Sequence, residues 1–125
     1  MKKMLIVDDE EEFIELYEYA LKDEKKDIDI LKAKDGKEGL NIARNHIESL
    51  DLIVIDHPLP GIEGKDFAKT IRDEGYKGKI MRIGENLGDI SKEDESVFDA
   101  SFYKGMGTSF DIIKITDKIQ EYLNH

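Results

Sequence analysis

Leu52-Ile53-Val54-Ile55-Asp56 is a run of four apolar residues closed by a carboxylate. A strand apolar at every position is one buried on both faces, as in a parallel sheet covered by helices on either side. The N-terminus repeats the pattern, with Met4-Leu5-Ile6-Val7 ending abruptly at Asp8-Asp9. Between these two runs, residues 10–24 carry Phe13, Leu16, Tyr17, Ala20 and Leu21 at helical spacing, which predicts one apolar stripe. Ile28, Ile30 and Ala33 then alternate with polar residues, as in a strand covered less completely. Asp35-Gly36 is a turn signal, after which Leu40, Ala43 and Ile47 line one helical face.

Downstream, Pro58, Pro60, Gly61 and Gly64 mark a loop, and a helix over 66–74 turns Phe67 and Ile71 inward. A fourth strand over 79–83 holds Arg82, an unusual residue for a buried run, and 100–103 reads as a short fifth strand. The last helix starts near Thr108 or Ser109 and carries Ile112, Ile115, Ile119 and Leu123 as its stripe. From 86 to 99 the apolar signal fades, which predicts a short or weakly anchored helix. Five strands alternating with helices make an α/β doubly wound parallel sheet the expected fold.

In open parallel sheets, chemistry gathers at the carboxyl ends of the strands. Here those ends carry Asp8-Asp9, Asp56 and Lys104. If the first and third strands are neighbours, three carboxylates converge and require a bound cation. Oxygen ligands beside a lysine suit Mg²⁺ or Mn²⁺. A carboxylate in such a site can attack a phosphoryl group and form an acyl phosphate. The competing reading is that Asp8 or Asp9 simply caps the first helix.

The chain has 125 residues, with 19 Lys and Arg against 29 Asp and Glu, for a net charge of −10. That length suits one domain. Without Cys there is no disulfide framework and no thiol chemistry. No apolar run approaches the ~20 residues of a membrane span, and the opening run is too short for a signal peptide. Acidity disfavours nucleic-acid binding and favours a soluble monomer. A cytoplasmic domain with no membrane or nucleic-acid partner is the expectation.

Ile6-Val7-Asp8-Asp9-Glu10, the segment from Ala33 to Leu40, and Asp51 to Asp56 with Pro60, Gly61 and Gly64 together resemble a response regulator receiver domain of two-component signalling. The resemblance covers the chain and is strongest over its first 75 residues. It implies a flavodoxin-like fold with strand order 2-1-3-4-5. It also implies a single receiver domain over 1–125 with no output domain, and a phosphoryl-accepting protein rather than a turnover enzyme. Carried over by position, Asp56 is the phosphoacceptor. Asp8, Asp9, Asp56 and the backbone carbonyl of Pro58 are the metal ligands, and Lys104 is the ion-pair partner of the phosphoryl group. A histidine kinase or histidine phosphotransfer protein is the implied donor, with output by docking on a downstream protein.

Four positions depart from that family. Gly84 stands where a Thr or Ser hydroxyl usually turns to the phosphoryl group, and Glu85 follows where a small residue is usual. Ser101 replaces the switch aromatic, and Gly105 follows Lys104 in place of a proline. Gly84 reads equally as a turn needing positive φ. Arg82 is expected to pair with an acid, either Glu85 or one from 86–99, and His57 to face away from Asp56. Two alternatives stay open: a pseudo-receiver that works by docking without phosphorylation, and, less well supported, a Mg²⁺-dependent hydrolase.

Overall fold

Parallel pairing of the two apolar runs organises the chain. The structure is a computed structural model that describes residues 1–21, 27–57, 59, 61–84, 92–103 and 109–124. In chain order the elements are β1 (Lys2–Val7), α1 (Glu11–Ala20), β2 (Ile28–Ala33), α2 (Gly36–Asn45) and β3 (Leu52–His57). They continue with α3 (Gly64–Asp73), β4 (Lys79–Gly84), α4 (Lys92–Glu95), β5 (Ala100–Tyr103) and α5 (Ser109–Leu123). All strand pairings are parallel and the order is β2-β1-β3-β4-β5. This is the doubly wound parallel sheet that the alternation of elements predicts, in the flavodoxin-like order that the resemblance implies. No helix among the described residues is long and apolar enough to cross a membrane.

The pleat divides the strand residues between two apolar layers. Leu5, Val7, Ile53, Ile55 and Ile80 face one layer, where α2 and α3 add Leu40, Ala43, Phe67 and Ile71. Met4, Ile6, Leu52, Val54, Met81 and Ile83 face the other, closed by α1 and by Ile112, Ile115, Ile119 and Leu123 of α5. Each central strand is therefore buried on both faces, which is why β1 and β3 need no polar alternation. β2 lies at the edge. Its Ile28 and Ile30 turn to the second layer while Leu31 and Ala33 turn to the first. Ala33 thus sits on the opposite face from the alternation read in sequence.

The predicted α1 stripe is out of phase by one position. Ile14, Tyr17 and Leu21 are buried, Phe13 flanks them, and Leu16 and Ala20 are exposed. Two overlapping apolar rows fit a helical period here, and the layer beneath selects the row that adds Ile14. α4 is short, as expected, with four residues and none of them buried. It is tied to α3 through Asp94, which pairs with Lys69 and lies 3.7 Å from Lys65. Just beyond it, Phe98 enters the first layer.

At α2 a glycine is set by packing. A Cβ on Gly39 would lie 2.9 Å from Val7 Cγ2 and 3.0 Å from Phe67 Cε2, both in the buried layer. Alanine gains about 1 kcal/mol of helix propensity over glycine, but overpacking a closed core costs about 1–3 kcal/mol. Gly39→Ala is therefore expected to lower the urea unfolding free energy by about 1 kcal/mol. A variant more stable than the parent would show that the β1–α2 contact has slack.

Candidate functional site

Val7 pairs with Ile55, so the residues that follow them, Asp8 and Asp56, lie side by side at the carboxyl end of the sheet. By the same alternation both start from the face covered by α1 and α5. Asp8 is 2% exposed and Asp56 4%, whereas Asp9 is open to solvent. One carboxylate oxygen from each of the three lies within 4.8 Å of the others. The chain thus brings together the three acids that its sequence singles out.

Asp8 is fixed from two sides. Its backbone N–H donates to the Ala33 carbonyl at 3.0 Å, and its Oδ1 accepts the backbone N–H of Glu10 at 2.8 Å. Glu10 is the N-cap of α1 and the helix has no side-chain cap. The capping alternative for Asp8 and Asp9 is therefore not what these residues do. Asp8 holds the turn before the helix, and Asp9 is left facing outward.

Two like unit charges at such a separation repel by roughly 3 kcal/mol at an effective dielectric near 20. That exceeds a typical hydrogen bond of about 1 kcal/mol, so the cluster favours a cation. The donor set is oxygen only, with two buried carboxylates and one exposed. It fits a hard divalent ion such as Mg²⁺ or Mn²⁺, which binds through few carboxylates and keeps several waters.

Below the acids lies a side chain that sequence reasoning assigned only to packing. Tyr17 is 1% exposed, and its buried hydroxyl has no hydrogen-bond partner among the described residues. Burial pushes its hydroxyl far above the usual tyrosine range, and the charges of Asp8, Asp56 and Glu10 act in the same direction.

The β4–β5 side differs from expectation. Positive φ among the described residues occurs only at Gly61 and Gly75. Gly84 is instead an extended, buried strand residue paired with His57 and Tyr103, so the turn reading of Gly84 is set aside. Ser101 lies opposite Arg82 in the ladder, and Arg82 Nε donates to Ser101 Oγ at 3.4 Å. Arg82 is 1% exposed, and its guanidinium carbon stands 5.4 Å from the centre of the Phe98 ring. Burial lowers its pKa, and the charge of Glu95 works against that shift. The small Ser101 side chain thus leaves room for a guanidinium stacked on an aromatic ring, a favourable cation–π arrangement. Sequence reading found Arg82 odd but missed Phe98, an isolated aromatic with no periodic neighbours.

Lys104, Pro58, Glu85 and Gly105 lie outside the described residues, as does the side chain of His57.

Comparison with known proteins agrees with the site. Residues 4–100 match the family described as the response regulator receiver domain. The chain is similar to the alkaline phosphatase synthesis transcriptional regulatory protein PhoP of Bacillus subtilis (strain 168), at 41% identity over 82 residues. That match covers 66% of this chain and 32% of PhoP, so the chain spans about a third of that relative's length. The crystal structure of the response regulator protein TrrA from Thermotoga maritima, in complex with Mg²⁺-BeF, is similar with a TM-score of 0.80. Its identity is 27%, over 98% of this chain and 100% of that one. A response regulator receiver domain protein from Clostridium thermocellum shares the fold with a TM-score of 0.77 at 21% identity, over 99% of this chain and 95% of that one.

Because Asp9 is exposed, it tests the metal reading without disturbing the core. Asp9→Asn is expected to leave stability within about 0.5 kcal/mol and to weaken Mn²⁺ binding at least about tenfold. Unchanged affinity would remove Asp9 from the ligand set.

Proposed function

Since this chain belongs to the response regulator receiver domain family, we propose that Asp56 accepts a phosphoryl group from a histidine kinase or a histidine phosphotransfer protein. The observation that carries this reading is the meeting of three carboxylate oxygens within 4.8 Å at the ends of β1 and β3. In the proposed step a carboxylate oxygen of Asp56 attacks the phosphorus of a phosphohistidine. The P–N bond breaks, the imidazole nitrogen leaves with the electron pair, and an acyl phosphate forms on Asp56. Water later cleaves that acyl phosphate, which releases inorganic phosphate and restores the Asp56 carboxylate. The acyl phosphate is the signalling state, and the protein acts as a phosphoryl-accepting regulatory module rather than a turnover enzyme. A divalent cation held by Asp8, Asp9, Asp56 and the Pro58 carbonyl supplies positive charge against the phosphoryl oxygens. Lys104 is assigned as the second positive charge, an ion pair with the phosphoryl group.

Signal transmission is proposed to differ from the usual switch. Gly84 offers no hydroxyl, so one hydrogen bond to a charged acceptor, worth about 1.5–3 kcal/mol, is absent. Glu85 follows Gly84 in sequence where the family usually has a small residue. Ser101 is engaged by Arg82 rather than being a mobile aromatic. Output then runs through docking of the receiver's own surface on a further protein, and the stretch 86–99, where the apolar signal of the sequence fades, is the segment assigned to move. The same features support the second reading, a docking module that functions without phosphorylation.

Intact-mass spectrometry after incubation with a small phosphodonor and Mg²⁺ separates the two. One phosphoryl adduct is expected on the parent chain and none on Asp56→Asn. No adduct on a chain that binds the metal favours the docking module, and an adduct retained in the variant places the phosphoacceptor elsewhere.

A further inference from the structure

We propose that Tyr17 is a positioning residue of the acid cluster. Its hydroxyl completes its hydrogen bonding with the hydration shell of a divalent cation held by Asp8, Asp9 and Asp56, and so helps to hold that cation. This inference rests on the metal reading of the cluster given above.

α1 starts at the carboxyl end of β1 and runs back beneath the sheet, covering Met4, Ile6 and Val54 with Ile14, Tyr17 and Leu21. In a helix each Cα–Cβ bond tilts towards the N-terminus, and long side chains lean over the preceding turn. The Tyr17 ring is therefore carried from the middle of the layer up towards the end where Asp8 and Asp56 emerge. The acids whose charges act on its hydroxyl are those at that end, namely Asp8, Asp56 and Glu10.

The second observation is the hydroxyl itself. It is fully buried and has no hydrogen-bond partner among the described residues. A buried polar group left unsatisfied costs about 1–3 kcal/mol, and phenylalanine would fill the same space without that penalty. A tyrosine here is explained if the hydroxyl is satisfied in the metal-bound protein. Mg²⁺ and Mn²⁺ retain bound waters, and such waters are strong hydrogen-bond partners for a neighbouring hydroxyl.

Tyr17→Phe removes the hydroxyl and keeps the ring. Mn²⁺ binding, read from the paramagnetic resonance of the free ion with no phosphodonor present, is expected to weaken about fivefold. The chain has five Tyr and no Trp, so its near-ultraviolet spectrum reports tyrosine alone. Mg²⁺ is expected to produce a tyrosine difference spectrum in the parent that is lost in Tyr17→Phe. In chelator the variant should be at least as stable as the parent, and in saturating Mn²⁺ the parent should gain more. A purely structural tyrosine would not reverse the order in this way.

Equal affinities with no tyrosine perturbation in the parent would overturn the proposal, as would a variant less stable than the parent by the same amount with and without metal. Absence of metal binding in the parent overturns this inference together with the metal reading. Metal binding without phosphoryl uptake overturns only the phosphoacceptor assignment and leaves the Tyr17 comparison decisive.

Discussion

Asp8 and Asp56 leave adjacent parallel strands at the same height because Val7 pairs with Ile55, and the protein seals both from solvent. Burying two like charges together is unfavourable unless something positive joins them or one takes up a proton. The fold accepts this arrangement and fixes it. Asp8 is held by backbone contacts to Ala33 and Glu10, and Asp56 is the continuation of a strand buried on both faces. The Asp8 carboxylate cannot swing away without giving up its bond to the Glu10 N–H in the turn into α1. The cluster's affinity for a cation is therefore a consequence of the sheet register.

The two faces of the sheet then serve different ends. Beneath α1 and α5 the acids stand over an apolar layer that also holds the buried Tyr17. On the other side, Arg82, Ser101 and Phe98 fill the space between β4, β5 and the segment after α4. Phe98 and the Asp94 pairs with Lys65 and Lys69 tie that segment to the body of the protein. The structure thus sets the acid cluster on one face of the sheet and anchors α4 and the segment after it on the other through Phe98 and the Asp94 pairs.

Much of this was legible because β1 and β3 are apolar at every position and end in acids. That combination fixes strand type, sheet class and the location of Asp8, Asp9 and Asp56. Helix phase was less legible. Phe13, Leu16 and Ala20 compete with Ile14 and Leu21 for the buried row of α1, and only the sheet beneath decides between them. Tyr17 was read as core, correctly, but its hydroxyl gains meaning from acids seven or more positions away in sequence or on another strand. Periodicity carries no information about that juxtaposition. Phe98 was invisible for a similar reason, since a lone aromatic in a polar run shows no pattern until Arg82 is placed against it. At Gly84 the sequence left two readings open, and the extended backbone there removes the turn.

The register of β1 and β3 brings the acids together in a charge conflict that a divalent cation resolves. Calorimetric melting of the parent and Asp8→Asn, each with and without Mg²⁺, tests it most directly. Asn retains the oxygen that accepts the Glu10 N–H but removes one charge. In chelator Asp8→Asn should melt higher than the parent by roughly 3–6 °C, the shift expected for about 1 kcal/mol in a domain of this size. Saturating Mg²⁺ should raise the parent and leave the variant nearly unmoved. A variant that melts below the parent in chelator, with Mg²⁺ shifting neither, would contradict the account.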